Sequence, residues 1–389
     1  MTDFRTAAEQ MRDQLIAWRR DLHRHPELAF QEQRTAGIAA AHLSALGYRV
    51  QTGVGKTGVI GVLEGARPGP VVMLRFDMDA LPITEENDVD YASEVPGCMH
   101  ACGHDAHVAI GLGVAQLLAA RQGEMAGTLK LVFQPAEEGG NGADEMIRDG
   151  ALENPRPDVF LALHVWADRP VGTADITPGP VMAAAEKWTC TLHGHGGHGA
   201  MPHQATDPIV AAAQVITALQ SVVSRDVSPL ETAVVSVGAI HAGEAFNVIP
   251  NQAQMTGTIR TFAPSTREVV LRRVRQVIEG VAAACGSRAE LEIIRLTPAV
   301  VNDPQVTEVA RRAAEAVLGP QQVHSGERTM GSEDAAFFME RVPGCFIFLG
   351  STGPGQEAIP HHNPRFTLDE QALPLGVAIL THAAASYLG

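Results

Sequence analysis

The middle of the chain carries predicted elements in the order β-α-β-β-α-β, and this order constrains the fold more than any other feature. The predicted strands are 187–192, 233–240, 252–261 and 290–296, and the predicted helices are 208–223 and 265–285. This order defines the split ferredoxin-like unit, which is complete here within about 110 residues. We therefore expect residues 185–296 to form an inserted ferredoxin-like α+β domain.

The segments on both sides of the insertion predict one α/β domain that the insertion interrupts. Before it, the predicted strands are 59–63, 71–76, 129–133 and 159–164, and the predicted helices are 4–24, 27–46 and 106–121. After it come a predicted helix at 306–318, a strand at 345–349 and a closing helix at 373–388. Because strands that alternate with helices form layered α/β domains, we expect residues 1–184 and 297–389 to fold together.

Composition excludes several classes of protein. The formal net charge of −15 over 389 residues repels phosphate and argues against nucleic-acid and anionic-membrane partners. No run of about 18 apolar residues predicts a membrane span, and the N-terminal segment lacks the apolar core of a secretory signal, so we expect a cytoplasmic protein. Five scattered cysteines predict no disulfide framework. The expected partner is a small molecule.

The densest group of potential metal ligands lies in the segment Met99–His107, just before a predicted helix. Cys102 and His104 stand on either side of Gly103, so a thiolate and an imidazole can reach one cation without backbone strain. Taken alone, the segment is equally compatible with histidines that only make hydrogen bonds or lie at the surface.

Three predicted strands end in further residues of the metal-ligand type. Asp77 and Asp79 follow one strand, Glu137 and Glu138 follow another, and His164 ends a third. Period-2 geometry points both aspartates to one face. Ligands of open α/β sheets bind outside the carboxyl ends of the strands, so these side chains are expected to meet in one site.

The adjacent glutamates suggest a division of labour. Neighbouring side chains diverge, so one of Glu137 and Glu138 can bind a cation while the other acts as a general base. Hydrolysis of an unactivated amide needs both roles. The alternative is that these residues belong to a solvated acidic loop. The other residues of the metal-ligand type at neighbouring strand ends argue against this alternative.

The chain resembles the aminoacylase/carboxypeptidase family of co-catalytic metallohydrolases, in the branch of hippurate hydrolases, N-acyl-L-amino acid amidohydrolases and indole-acetyl-amino-acid hydrolases. The residues that carry the resemblance span nearly the whole chain: Arg20-Asp21-Leu22-His23, Pro26-Glu27, Asp77-Met78-Asp79-Ala80-Leu81-Pro82, Met99-His100-Ala101-Cys102-Gly103-His104-Asp105, Gln134-Pro135-Ala136-Glu137-Glu138, Gly196-Gly197-His198-Gly199-Ala200, Asn247-Val248-Ile249-Pro250, Gly331-Ser332-Glu333-Asp334 and His361-His362-Asn363-Pro364. The resemblance implies a metallopeptidase-like catalytic domain with helices packed on a mixed sheet.

The resemblance also implies which residues bind metal. The implied metal ligands are Cys102, His104, Glu138, His164 and His362, with Cys102 bridging two cations as a thiolate. The implied cations are Mn or Zn, with Ni and Co left open by the donor types.

Three acidic residues have other implied positions. Glu137 matches the general base, and Asp79 matches an acid that orients a metal ligand. Asp77 falls where other branches carry a ligand His, which leaves its own role as a ligand in doubt.

The resemblance assigns three residues of the inserted domain to catalysis or binding. His198 matches a His that donates a hydrogen bond to the oxyanion of the tetrahedral intermediate. Asn247 and Arg260 match positions that contact the polar groups of the substrate, with Arg260 pairing its free carboxylate. A purely structural role of Arg260 on its strand is the alternative. The inserted domain is also expected to form a homodimer or a higher homo-oligomer.

The function expected from this resemblance is cleavage of the amide bond of N-acyl-L-amino acids. Hippurate-like, N-acetyl and aryl-acyl substrates all fit, and a dipeptidase or carboxypeptidase of the same family is the alternative. A relative that binds metal without catalysis would not need Glu137, which this chain retains.

A nicotinamide-dependent dehydrogenase is the alternative from a different class, suggested by Gly194, Gly196 and Gly199. Met201-Pro202-His203 separates these glycines from the predicted helix, and no acid stands about twenty residues on, which argues against this class.

Overall fold

The computed structural model describes residues 4–389, and it contains sixteen strands and ten α-helices in that range. The strands are β1 (Arg49–Val54), β2 (Gly58–Glu64), β3 (Arg67–Asp77), β4 (Ala126–Gln134), β5 (Val159–Pro170), β6 (Ala174–Asp175), β7 (Gly179–Met182), β8 (Ala184–His193), β9 (Gly197–His198), β10 (Ala233–Ala242), β11 (Val248–Ile249), β12 (Gln252–Thr261), β13 (Arg288–Thr297), β14 (Val300–Asn302), β15 (Val323–His324) and β16 (Gly344–Thr352). The α-helices are α1 (Phe4–Glu9), α2 (Arg12–Arg24), α3 (Gln33–Ala45), α4 (His104–Ala119), α5 (Gly142–Arg148), α6 (Pro208–Ser221), α7 (Pro264–Ala284), α8 (Pro304–Leu318), α9 (Ala336–Met339) and α10 (Ala372–Leu388).

The first of two compact units comprises residues 4–181, 300–328 and 334–389 and is built on an eight-stranded sheet. Its strand order is β1-β2-β4-β3-β5-β16-β6-β15. The central pairs β4-β3, β3-β5 and β5-β16 are parallel, whereas β1-β2 and β2-β4 are antiparallel. The prediction of an α/β domain with a mixed sheet is thus confirmed.

The core of this unit forms where α4 and α10 pack together. Both helices are apolar around most of their circumference, which is typical of helices buried inside a domain. Glycines allow the close approach: a Cβ at Gly376 would lie 2.6 Å from Ile110 Cδ1, and one at Gly113 would lie 2.7 Å from Val377 Cγ2. The α4 helix, which begins at the candidate ligand His104, is therefore closely packed against α10.

The second unit comprises residues 182–299 and 329–333. Its four-stranded antiparallel sheet has the order β10-β12-β8-β13, and α6 and α7 bury apolar side chains against it. The buried stripe of α7 is Val270, Val274, Ile278 and Ala282, which has the four-residue spacing of one helix face. The predicted ferredoxin-like α+β insertion is confirmed. Its glycine-rich segment leads into the strand β9 rather than directly into a helix.

The structure corrects the two predicted N-terminal helices. The helix expected at 4–24 is divided into α1 and α2, and the helix expected at 27–46 begins only at Gln33. The second difference has a physical reason, because Leu28 forms a bridge with Ala80 and extends the chain there. Glu27 then accepts hydrogen bonds from the backbone N–H groups of Arg34 and Thr35 at the start of α3. It acts as a helix-capping side chain and not as a helical residue.

Two features bear on the expectations from composition. All five cysteines are free thiols. Between Phe4 and Gly389, no helix combines the length and the apolarity needed to cross a membrane.

The α8 helix offers a test of local stabilisation. Asp303 Oδ1 accepts hydrogen bonds from the N–H groups of Gln305 and Val306 at 2.8 and 3.0 Å. Because Ala cannot make these bonds, we expect Asp303→Ala to lower the free energy of unfolding by about 1 kcal/mol, measured by urea denaturation. Glu308→Ala, which removes an exposed ion-pair partner from the same helix, is the control. An effect of Asp303→Ala no larger than that of the control would contradict the assignment.

Candidate metal centre

Neighbouring parallel strands bring site residues to one level of the large sheet. Arg75 of β3 pairs with Ala162 of β5, so two residues further on Asp77 and His164 are level. The strand β5 continues to Pro170 because β16 still pairs with it there. The prediction that His164 ends its strand is therefore wrong, although it does lie just beyond the point where β3 stops.

The turn before α4 orients Cys102 and His104. Gly103 between them has a φ of 86°, and a Cβ at this position would lie 2.5 Å from Val165 Cγ2. Only glycine satisfies both conditions without strain. The small loop residue thus allows the two candidate ligands to approach β5, where His164 lies.

Three of the five groups of candidate ligand atoms in the range 4–389 consist only of the predicted ligands and Glu137, and within each group all atoms lie within 4.8 Å of one another. These three groups are Cys102, His104 and His164; Cys102, Glu138 and His362; and His104, Glu137 and Glu138. Cys102 is shared by the first two groups, which is the position that a bridging ligand requires. The structure thus brings all five predicted metal ligands and Glu137 together.

Hydrogen bonds define how two of the imidazoles can act. His104 Nδ1 lies 2.8 Å from the carbonyl oxygen of Asp79, and His164 Nδ1 lies 2.6 Å from that of Val165. A carbonyl can only accept, so each Nδ1 carries the proton and the Nε2 lone pair is directed elsewhere. His164 Nε2 lies 3.4 Å from Cys102 Sγ, and the buried His104 Nε2 makes no hydrogen bond with any residue in the range 4–389. Both histidines present the nitrogen that a cation requires.

The charge environment fits a cation as well. Burial, followed by the nearby Glu138 charge, raises the pKa of the Cys102 thiol. Hydrogen bonding to Cys102 and to Glu138 raises the pKa of His362 to about 10. In both cases the side chain retains a proton that a bound cation would displace. Thiolate, imidazole and carboxylate donors in one cluster suit a transition-metal ion.

Asp79 holds the loop that carries the paired glutamates. Its two carboxylate oxygens accept hydrogen bonds from the backbone N–H groups of Glu137 and Glu138 at 3.0 and 2.9 Å. The backbone carbonyl of Asp79 is also the acceptor for His104. Asp79 therefore contacts both a candidate ligand and the loop of the candidate base.

Asp77 has different partners. Its Oδ1 lies 2.5 Å from His107 Nδ1, and its Oδ2 accepts a hydrogen bond from Arg75 Nη1 at 2.6 Å. Burial raises the pKa of Asp77, but Arg75, His104 and His107 outweigh this effect and hold the pKa well below its usual range. Both oxygens are engaged, which agrees with the doubt about a ligand role.

The sequence assigns no role to several residues that surround this centre. His361 accepts a hydrogen bond at Nε2 from the N–H of Ala167, so its Nδ1, 3.9 Å from Cys102 Sγ, carries a proton that it can donate to the sulfur. Arg75 also donates to Gln134 and Asp334. A charged Arg inside an apolar strand was the available signal for this buried network.

The three residues assigned to the inserted domain lie in the second unit. His198 is in β9, paired with Val248, and its Nδ1 accepts a hydrogen bond from the N–H of Ala200. Asn247 precedes β11, and its carbonyl accepts from the N–H of Gly199. Their roles stay predictions.

Arg260, in β12, is half-buried. Its guanidinium donates a hydrogen bond to Ser332 Oγ at 2.7 Å, and burial lowers its pKa. Its role in binding a carboxylate also stays a prediction.

Comparison with known proteins agrees with this arrangement. Residues 73–386 match the model of peptidase family M20/M25/M40. An N-acetylcysteine deacetylase of Bacillus subtilis (strain 168) is 44% identical over 360 residues, covering 92% of this chain and 93% of the relative. Thermostable carboxypeptidase 2 of Saccharolobus solfataricus is 36% identical over 380 residues, covering 96% of this chain and 95% of the relative.

A solved structure extends the similarity to three dimensions. The crystal structure of the Bacillus subtilis YXEP protein, described as a dinuclear metal-binding peptidase of the M20 family, superimposes with a TM-score of 0.85. The two chains are 38% identical, and the match covers 98% of this chain and 99% of the other. The resemblance inferred from the motifs is confirmed. The chain belongs to peptidase family M20/M25/M40 and is a metal-dependent hydrolase of amide bonds.

Proposed function

We propose that this chain is an N-acyl-L-amino acid amidohydrolase that binds two divalent cations. The observation that supports this most is the shared position of Cys102 between two groups of ligand atoms, with Glu137 in a third group beside them. The deacetylase relative, 44% identical, is named for an N-acyl amino acid, and the YXEP protein is described as dinuclear. Mn and Zn are the cations that we propose.

The proposed ligands are Cys102, His104, Glu138, His164 and His362. When bound, the cations would polarise the substrate carbonyl and acidify a water molecule. The chain's own contribution is to fix the donors: the carbonyls of Asp79 and Val165 hold the Nε2 atoms of His104 and His164 ready to bind.

Glu137 is the proposed general base. It takes a proton from the attacking water and passes it to the leaving amine, so that one carboxylate serves both halves of the reaction. Asp79 keeps this carboxylate in place by accepting the N–H of Glu137. His198 is proposed to donate a hydrogen bond to the developing oxyanion, and Asn247 to contact the polar groups of the substrate.

Arg260 is the proposed partner of the free carboxylate of the substrate. We expect Arg260→Gln to raise KM for an N-acyl amino acid by about tenfold or more, since a charged hydrogen bond contributes about 1.5–3 kcal/mol. Steady-state kinetics with the acid and with its amide, which lacks the charge, measures this effect. Equal losses for both substrates would favour the structural alternative, in which Arg260 only supports Ser332.

A substrate panel tests the proposed function against its alternative. A dipeptidase or carboxypeptidase is the second candidate, because a relative with 36% identity is named carboxypeptidase. The panel contains N-acetyl, N-benzoyl and indole-acetyl derivatives of several L-amino acids together with unblocked dipeptides. We expect higher kcat/KM for the acylated amino acids. Preference for the dipeptides would replace the proposal with its alternative.

We also propose that residues 185–296 are a dimerisation domain and that the protein acts in the cytoplasm as a homodimer or higher homo-oligomer. Exposed apolar side chains in this segment support an interface, among them Ile209, Val210, Ile240 and Val248, which are 41–54% exposed. Light scattering that gives the mass of a single chain at micromolar concentration would contradict this proposal.

A further inference from the structure

The backbone just before Glu137 has an unfavourable conformation. Ala136 is fully buried and has a φ of 53°, in the left-handed region that residues with a Cβ rarely adopt. Such a conformation persists only where the surroundings impose it, and it often lies next to functional residues. The contacts that hold Ala136 in this conformation therefore determine the position of the Glu137 backbone.

Glu32 makes the contact with this backbone. Its side chain is fully buried, and Oε1 accepts a hydrogen bond from the N–H of Ala136 at 2.9 Å. The same oxygen accepts a hydrogen bond from the N–H of Phe30 at 2.9 Å, and Phe30 also has a positive φ, 61°. Oε2 accepts from the hydroxyl of Thr57 at 2.6 Å. One carboxylate thus joins three segments and holds two left-handed, non-glycine residues.

The carboxylates of Glu32 and Asp79 accept hydrogen bonds from neighbouring residues of one backbone segment. Glu32 accepts a hydrogen bond from the N–H of Ala136, and Asp79 accepts hydrogen bonds from the N–H groups of Glu137 and Glu138. Three consecutive N–H groups are therefore held by buried carboxylates from different parts of the chain. This arrangement fixes the peptide planes on both sides of Glu137, and with them the direction of its side chain.

We propose that Glu32 is a positioning residue for the reaction, which acts through the Ala136 backbone to aim Glu137. The inference rests on the proposed function of Glu137 as general base. Glu32 contributes through the length and direction of its side chain, because a neutral amide oxygen could accept the same two N–H groups. Its amide N–H could in turn donate to the Thr57 oxygen.

The test compares two changes at Glu32 with a matched change at Glu27. Glu32→Asp retains the charge but withdraws it by one bond, whereas Glu32→Gln retains the length. Glu27→Asp is the control, because the Glu27 side chain also accepts hydrogen bonds from two backbone N–H groups, but these belong to Arg34 and Thr35 at the start of α3 and not to the loop of Glu137. Each variant is assayed as the full-length, metal-loaded protein.

We expect Glu32→Asp to lower kcat by about 10- to 100-fold, as for a displaced catalytic group, with KM within about twofold of the wild type. The bound metal per chain should not change. Glu32→Gln should retain most of the activity. Glu27→Asp should change kcat by less than about twofold, even if Glu32→Asp and Glu27→Asp both lower the melting temperature. An unchanged kcat in Glu32→Asp, or an equal loss in Glu27→Asp, would overturn the proposal.

Crystal structures of Glu32→Asp and Glu32→Gln provide a readout that does not depend on activity. In Glu32→Asp, we expect the φ of Ala136 to change or the Glu137 carboxylate to move, and Glu32→Gln should retain both. If Glu32→Asp does not fold, the kcat and the structure of Glu32→Gln show whether the length or the charge of the Glu32 side chain positions Glu137. A wild-type protein without activity on any substrate would refute the proposed function, while the structures would still decide whether Glu32 positions Glu137. An unchanged loop in Glu32→Asp would overturn the positioning role.

Discussion

We expect Glu137→Gln to lower turnover by about 10³-fold while the metal content stays that of the wild type. The amide has nearly the shape of the carboxylate but cannot take a proton from water, and general-base catalysis contributes about 10²- to 10⁴-fold. Asp79 can still accept the backbone N–H of residue 137, so the loop should retain its conformation. The loss should therefore fall on kcat.

The measurement combines steady-state kinetics on an N-acyl amino acid with metal analysis of the purified variant. Glu145→Gln is a suitable control, since Glu145 lies in α5 and pairs with Arg148 at the surface. A Glu137→Gln variant with wild-type turnover would show that another group accepts the proton.

The second large effect is expected at Cys102. Because its sulfur belongs to two of the ligand groups, Cys102→Ala removes a donor from both at once. We expect metal binding to weaken by more than about 100-fold, beyond the loss typical of a residue that only supports a ligand. Hydrolysis should be lost together with the metal and return only partly at high metal concentration.

Cys98→Ala separates this effect from the general loss of a buried thiol. Cys98 is also buried and free, but its sulfur donates a hydrogen bond to the carbonyl of Pro26 and belongs to none of the ligand groups in the range 4–389. Titration with Zn or Mn should give nearly equal affinities for Cys98→Ala and the wild type. If Cys102→Ala also retained that affinity, Cys102 would not be a ligand.

The sequence was most informative where chemistry and periodicity coincide. The inserted domain follows from the order of its strands and helices alone, and β12 has the predicted bounds, Gln252–Thr261. The candidate ligands could be found because each is a chemically distinctive residue beside a strand or a helix start. The structure then brings Cys102, His104 and His164 together through the Gly103 turn and the register of the sheet.

Contacts between distant segments could not be predicted in this way. The hydrogen bond of Glu32 to Ala136 joins residues 104 positions apart, and no local pattern distinguishes Glu32 from a surface glutamate. The apolar spacing predicts a helix that begins at Glu27, yet the Glu27 side chain caps the helix from outside it. In both cases a tertiary contact outweighs the local preference of the backbone.

Metal analysis joined to an activity assay tests the central claim most directly. The purified protein is analysed for bound metal and assayed on N-acyl amino acids before chelation, after chelation, and after addition of Mn or Zn. We expect about two ions per chain, loss of hydrolysis on chelation and recovery on addition of metal, because paired cations supply the polarisation that an unactivated amide requires. Hydrolysis that persists in a protein freed of metal would contradict the claim.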